Sequence, residues 1–327
     1  MTSAQISKSV LDIALPIQNY LEKVKANVEN ELLQINQFTD QIGSYLTKMQ
    51  GKYFRAMLTL LSAYTLKQDL TKTMVMAQCS EMLHLASLIH DDVLDNSDLR
   101  RGQKTIQNIW GNHVAILVGD YLYTRTTQMM IDFKQHEVME NLAQITLGLT
   151  EGELLQLSLR NQLQITLEQY FKVLSLKTAK FMGSCALFGG VLLNLPAEKK
   201  QALQDFGYYL GMAFQISDDL MDWTAQINEP LKPVQHDLME GTISLPLLLA
   251  LQKASDAEKN KLEQLLQNKD SALNPLGQKI VHQYDGLKQA QTILEDFGKK
   301  AKGILHRYEW NGPLTEMVDF IIGRIKV

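Results

Sequence analysis

What most limits the fold of this chain is the length of the stretches that lack glycine and proline. From Thr73 to Leu94 neither occurs, and Met76, Cys79, Leu83, Ala86 and Ser87 recur at helical spacing. Ala197 to Trp223 reads the same way apart from Gly207 and Gly211. Proline makes up 7 of 327 residues, and most of it sits at segment edges. Alternating strand patterns bounded by hairpin dipeptides are missing. These features predict an all-α chain. The 73–94 helix is apolar on more than one face, which suits a helix surrounded by others.

Breaks are legible at Gln50-Gly51, Arg101-Gly102, Asn194-Leu195-Pro196, Asn228 to Pro233, Gly241 to Pro246 and Asn268 to Gly277. None is long or biased enough to be a linker, and no fixed-period repeat is visible. Residues 1–327 are therefore expected to form a single domain. With 45% hydrophobic residues the chain can bury a sizeable core, and a net charge of −4 gives no footprint for nucleic acid. Cys79 and Cys185 lie in apolar stretches without CxxC spacing and read as buried thiols. No apolar run reaches the roughly 20 residues needed to span a bilayer. Met1 to Pro16 carries Lys8 and Asp12 and lacks the apolar centre of a secretion signal. A cytoplasmic location is expected.

The sharpest feature is His90-Asp91-Asp92-Val93-Leu94-Asp95, echoed by Ser217-Asp218-Asp219-Leu220-Met221-Asp222. Residues i and i+4 share a helix face, so Asp91 would project with Asp95, and Asp218 with Asp222. Carboxylates stacked in this way repel one another unless a counter-ion intervenes. A single acidic triplet is commonly a solvated helix face. Here both copies follow apolar runs, Leu83 to Ile89 and Gly211 to Ile216, which places them at the ends of buried helices. Mg²⁺ is held by one or two carboxylates with waters and phosphate oxygens. Two facing clusters could thus clamp a diphosphate through several Mg²⁺ ions.

Cations suited to a diphosphate are present as well. Lys52 and Arg55 stand three apart and are expected on one side of a helix start, and Arg100-Arg101 follows the first cluster. Lys177-Thr178 and Lys232 add more. Guanidinium grips phosphate bidentately, whereas lysine acts as a point charge. Taken singly, each reads first as a solvated surface charge. His84, two turns before Asp91, reads as either a ligand or a satisfied core histidine.

Glu81 to Asp95 followed by Arg100-Arg101-Gly102 resembles the first aspartate-rich region of the trans-prenyl diphosphate synthases, and Phe214 to Asp222 resembles the second. Gly119-Asp120-Tyr121-Leu122, Glu151-Gly152-Glu153 with Gln156, and Lys177-Thr178-Ala179 stand between them in the family's order. The match covers roughly residues 50 to 250, and Leu117 to Met130 looks most like the octaprenyl members of bacterial quinone pathways. The resemblance implies an isoprenoid-synthase bundle of about ten core helices around a deep cavity, a homodimer, and about three Mg²⁺ ions. It implies the repeated joining of isopentenyl diphosphate to an allylic diphosphate such as farnesyl diphosphate, and a long product that passes to the membrane. It assigns Lys52, Arg55, His84 and Arg101 to isopentenyl diphosphate. Arg100, Lys177, Thr178, Gln215 and Lys232 fall to the allylic diphosphate. Asp91, Asp95, Asp218 and Asp222 fall to metal, with Asp92, Asp219 and Lys177 also in the catalytic set.

The chain departs from the family's pattern in three places. Tyr53 replaces a usual arginine, the Leu231 to Asp237 stretch lacks two usual glycines, and Thr242 stands where many members carry lysine. These changes remove positive charge near the allylic diphosphate and predict weaker allylic binding, which Thr242→Lys would reverse. Small residues at Ala86 and Ser87 leave the cavity open below the diphosphate, where family members with short products carry an aromatic. Met129, Met130 and Phe133 are candidates for its floor, with ordinary core packing the leading reading for the two methionines. Two other readings remain: a terpene cyclase, for which Lys52, Arg55 and Arg100-Arg101 have no use, and a non-catalytic or partner-requiring subunit of a heteromeric synthase.

Overall fold

The computed structural model describes residues 9–37, 41–49, 51–193, 195–224 and 236–325. Lys232 and Leu231 lie outside the described residues. Helices α1 (Val10–Ala14), α2 (Gln18–Leu33), α3 (Ile42–Leu46) and α4 (Phe54–Thr65) lead into the 25-residue α5 (Leu70–Leu94). Helix α6 (Ile106–Trp110) then precedes α7 (Asn112–Ile131) and α8 (His136–Leu159). After α9 (Leu167–Leu174) the helix widens into a π-turn, Ser175–Ala179, before α10 (Lys180–Phe188). The 28-residue α11 (Ala197–Thr224) is followed by α12 (His236–Met239) and α13 (Leu245–Leu251). The remainder is α14 (Asp256–Gln267), α15 (Leu273–Gln283), α16 (Gly286–Arg307) and α17 (Pro313–Gly323).

Helices α5 and α11 organise the rest. Asp69 caps α5 by accepting from Thr71 N, and twelve residues of the helix are buried, including Met76, Cys79, Leu83 and Ala86. It packs against α2, α4 and α7, while α11 packs against α10 and α16. One cluster of buried apolar side chains runs through these helices, from Ile13 to Ile325. Both cysteines are buried and free, as expected; burial pushes each thiol up to about 12. No helix among the described residues is long and apolar enough to cross a membrane.

The all-α expectation needs one small amendment. Strands β1 (Leu99–Arg100) and β2 (Gln103–Lys104) form a two-stranded antiparallel hairpin. Arg101 (φ 53°) and Gly102 (φ 77°) are both left-handed, the two-residue turn whose twist matches paired strands. With two residues in each strand it leaves no periodic signal. A second amendment concerns Lys52 and Arg55. Tyr53 adopts φ 54° as the residue before α4, so the helix begins at Phe54 and the two cations do not share a helical face. Lys52 is exposed in the preceding segment, and Arg55 lies in the first turn.

Candidate active site

A cavity of about 800 Å³ opens between the C-terminal halves of α5 and α11. It gathers residues from many parts of the chain. Asp91, Asp92 and Asp95 come from the end of α5, Arg100 and Arg101 from the hairpin, Asp218 and Gln215 from α11. Lys52 and Arg55 come from the entry to α4, Glu153 from α8, and Lys177 and Thr178 from the π-turn. Ser87 and His84 line the wall one and two turns below the first cluster, with Leu85 and Leu88 beside them. A smaller cavity of about 240 Å³ adjoins it and shares Asp95, Lys177, Thr178 and Gln215. Asp219, Asp237 and Thr242 line that second space.

Two glycines make the close approaches possible. A Cβ at Gly51 would stand 2.6 Å from the Arg101 guanidinium, and one at Gly152 would stand 2.6 Å from Lys177 Cγ. Side chains there would displace two of the candidate phosphate-binding cations. The π-turn adds a residue to the helix register and so brings Lys177 to Glu153, with Gln156 Oε1 2.9 Å from the ammonium.

The six aspartates do not do the same work. Asp92 is 3% exposed and accepts from Arg100 Nε at 2.7 Å, which fixes the hairpin onto α5. Asp219 is 5% exposed and accepts from Tyr170 Oη at 2.7 Å and Leu245 N at 3.1 Å. It joins α9, α11 and α13 and faces the smaller cavity only. Burial, with Asp237 nearby, pushes Asp219 up to about 7. Asp222 lines neither cavity. Asp91, Asp95 and Asp218 line the larger space, as does Asp92, whose carboxylate Arg100 holds. Burial first, then the charges of Glu153 and Asp95, push Asp91 up to about 6 against the pull of Lys177 and Arg100. Burial also raises Asp218, although Arg324 Nη2 stands 2.8 Å from its Oδ1.

Arg324 has no counterpart in the sequence reading. It follows α17, lines the cavity, and stacks over Phe214 at 5.1 Å. Its contact with Asp218 spans more than a hundred residues, and no local pattern announces it. Glu81 was likewise unassigned: it accepts from Ala56 N at 2.9 Å and lies beside Arg55. Arg55 stacks over Phe181 at 5.0 Å, and burial lowers its proton affinity. Burial and the nearby arginines hold His84 well below its ordinary value, so the ring is neutral with one N–H to donate. Tyr53 is 4% exposed and lines the cavity without adding positive charge.

Arg55 Nε and Arg324 Nη1 are buried with no hydrogen-bond partner among the described residues. Buried guanidinium groups of this kind call for an anion. Among the described residues no group of three or more His, Cys, Asp or Glu side chains forms a ready-made metal cage. Mg²⁺ does not need one, since it keeps waters and phosphate oxygens and takes one or two carboxylates from protein. The hard oxygens of Asp91, Asp95 and Asp218 fit that demand.

Ala86 is buried and Ser87 lines the cavity. Met129, Met130 and Phe133 line neither space. Met130 is fully buried in the core, and Met129 and Phe133 pack against it at the C-terminal end of α7. Gly119 of α7 abuts His90, so Met129 and Met130 lie about ten residues, or roughly 15 Å, further along α7.

Residues 36–283 match the model of the polyprenyl synthetase family. The chain is 39% identical over 228 residues to octaprenyl diphosphate synthase of Escherichia coli K12, covering 70% of this chain and 71% of that protein. It is 30% identical over 282 residues to heptaprenyl diphosphate synthase component 2 of Bacillus subtilis, covering 86% of this chain and 80% of that one. Its fold superimposes on the crystal structure of a decaprenyl diphosphate synthase from Rhodobacter capsulatus with a TM-score of 0.89. That alignment has 28% identity and covers 98% of this chain and all of that one.

Proposed function

The chain belongs to the polyprenyl synthetase family and is a trans-prenyltransferase, and from that premise we propose that it extends an allylic diphosphate with isopentenyl diphosphate, repeatedly and head to tail. The product would be a long all-trans polyprenyl diphosphate, octaprenyl-like, for a quinone side chain. One observation supports this above others. A single cavity brings Asp91 and Asp95 of one cluster, Asp218 of the other, and Arg55, Arg100, Arg101 and Lys177 around a common space with an apolar wall below. A one-substrate terpene cyclase gives no reason for cations on both sides of it.

In this reading Arg55, Lys52, Arg101 and the His84 N–H hold isopentenyl diphosphate on the α4 side. Lys177, Thr178, Gln215, Arg100 and Lys232 hold the allylic diphosphate. The allylic carbon–oxygen bond breaks with its electron pair leaving on the diphosphate, and fixed cations in a water-poor site stabilise that charge. The double bond of isopentenyl diphosphate supplies the electrons of the new carbon–carbon bond. The proton released at the neighbouring carbon passes to an oxygen of the departing diphosphate. Holding the two substrates in line supplies much of the remaining acceleration. Asp91, Asp95 and Asp218 would hold divalent ions, about three by family resemblance; Asp222, which lines neither cavity, leaves the metal set. Bound there, the metal neutralises diphosphate charge as a Lewis acid.

The family resemblance also implies a homodimer. We propose that a second copy covers the exposed aliphatic residues Ile116 and Leu117 of α7 and Leu147 and Leu154 of α8, which are 43%, 67%, 60% and 64% exposed.

The deciding experiment uses purified chain alone with Mg²⁺, farnesyl diphosphate and labelled isopentenyl diphosphate. Turnover to chain-extended product is the expected result. Silence that only a second, different chain relieves would overturn the reading in favour of a partner-requiring subunit.

A further inference from the structure

The smaller cavity is acidic. Asp95, Asp219, Asp237 and Glu240 line it, and among the described residues its cations are Lys177 and Arg160. Lys177 is already engaged by Glu153 and Gln156. Arg160 is the residue that ends α8, and its guanidinium reaches two other elements at once. Nη2 stands 3.0 Å from Asp95 Oδ1, and Nε donates to the carbonyl of Glu240 at 2.8 Å. The Glu240 carboxylate is 3.8 Å away. The next residue continues the clasp: Asn161 N donates to Gly241 O at 2.8 Å. Gly241 has φ 84°, and a Cβ there would stand 2.1 Å from Asn161 Oδ1, so the two segments are closely fitted.

This arrangement has an electrostatic logic. Asp95 closes α5 and Arg160 closes α8, so two helix C-termini, each carrying partial negative charge, converge beside a carboxylate. A cation belongs there. The rigid planar fork of arginine bonds a carbonyl and a carboxylate in fixed, different directions from one charge. With one oxygen of Asp95 fixed by Arg160, the carboxylate is held at the boundary shared by both cavities. Thr242 lines the same space and brings no charge to it.

We propose that Arg160 is a positioning residue for the allylic diphosphate, fixing Asp95 and the 240–241 turn and supplying the positive charge that Thr242 does not. This rests on the synthase reading given above. It also revises what Thr242 alone suggests, because allylic binding is then not weakened by the missing lysine.

The test is a mutant cycle on the full chain. Arg160→Gln removes one charge-assisted contact and is expected to raise the allylic KM about 10-fold, equivalent to about 1.4 kcal/mol. KM for isopentenyl diphosphate should stay where it was. Calorimetry with Mg²⁺ and inorganic pyrophosphate should show the same loss of affinity without turnover. Thr242→Lys should restore both quantities in the Arg160→Gln background and change neither in the parent. Arg160→Lys, which keeps charge but loses the fork, should fall between, and it serves if the glutamine variant does not fold. A parallel rise in both KM values, or no rescue by Thr242→Lys, would overturn the proposal. A parent with no turnover at all would instead sink the synthase reading, while pyrophosphate binding would still report on Arg160.

Discussion

Ser87→Phe tests whether the growing hydrocarbon runs down the α5 wall. Ser87 lines the cavity four residues before Asp91, which places it about 6 Å lower along the helix axis. A diphosphate that Asp91 and Asp95 would hold through divalent ions would sit about 4 Å above the carboxylate. A phenyl ring at position 87 would therefore form a floor roughly 10 Å below the head group, and at about one helical turn per five-carbon unit that leaves room for two units, or three with a bent tail. The substitution should disturb little else. Ser87 Oγ donates only to the carbonyl of His84 in its own helix, at 2.8 Å, and the new ring enters open space. The thermal midpoint should accordingly stay near the parent's, short of the ~1–3 kcal/mol that overpacking a filled core costs. The assay supplies dimethylallyl diphosphate and labelled isopentenyl diphosphate and separates dephosphorylated products by reverse-phase chromatography. Short products in place of long ones, with the first condensation undiminished, are expected. An unchanged long product from the phenylalanine variant would refute the placement of the tail along this wall.

Asp91→Asn should abolish Mg²⁺-dependent turnover by about 10²- to 10³-fold, the usual effect of removing one element of charge stabilisation. Its metal-free stability carries a further sign. Asp91 titrates at about 6 in the fold against an ordinary 3.8, so its contribution is fully present below 3.8 and is lost as pH rises through 6. The parent's melting temperature should therefore fall relative to Asp91→Asn across that window without metal, and parallel curves would refute the assignment. Arg324→Met strips Asp218 of its ion pair, and because that carboxylate is 34% exposed the metal-free loss should be about 1 kcal/mol, read by denaturant unfolding. Leu117→Asp should convert a dimer to a monomer in sedimentation velocity, and an unchanged sedimentation coefficient would remove α7 from the interface.

What could be read from the sequence is what depends on local spacing. Helices α5 and α11 cover the two long stretches with few or no helix breakers, because a long apolar run at helical period has few other ways to bury itself. Asp91, Asp95 and Asp218 meet in one cavity because each sits at the end of such a helix. Division of labour among the six aspartates was not legible. Asp92 and Asp219 have the same spacing as their neighbours, yet Arg100 and Tyr170 engage them from elements remote in sequence. Arg324 and Arg160 were invisible for the same reason: a lone arginine after a helix carries no signal until its partner is known. The left-handed Tyr53 shows the converse, since one backbone angle decides whether Lys52 and Arg55 share a face.

The energetics of the site point the same way as its geometry. Burial raises Asp91, Asp218 and Asp219 above the ordinary carboxylate value, and burial lowers Arg55 and His84. Each shift means that the charged form is less stable in the fold than in water. A chain selected for stability alone would place apolar side chains of similar volume at these positions. Desolvated acids on one wall and desolvated cations on the other become mutually favourable when something bearing both signs lies between them. A diphosphate with its divalent counter-ions is such a species: Asp91 and Asp218 would hold its metal ions, and Arg55 and Lys177 would bond its oxygens. Binding it should therefore stabilise the fold more than the contact area alone would suggest, because it also relieves the desolvation already built into the cavity.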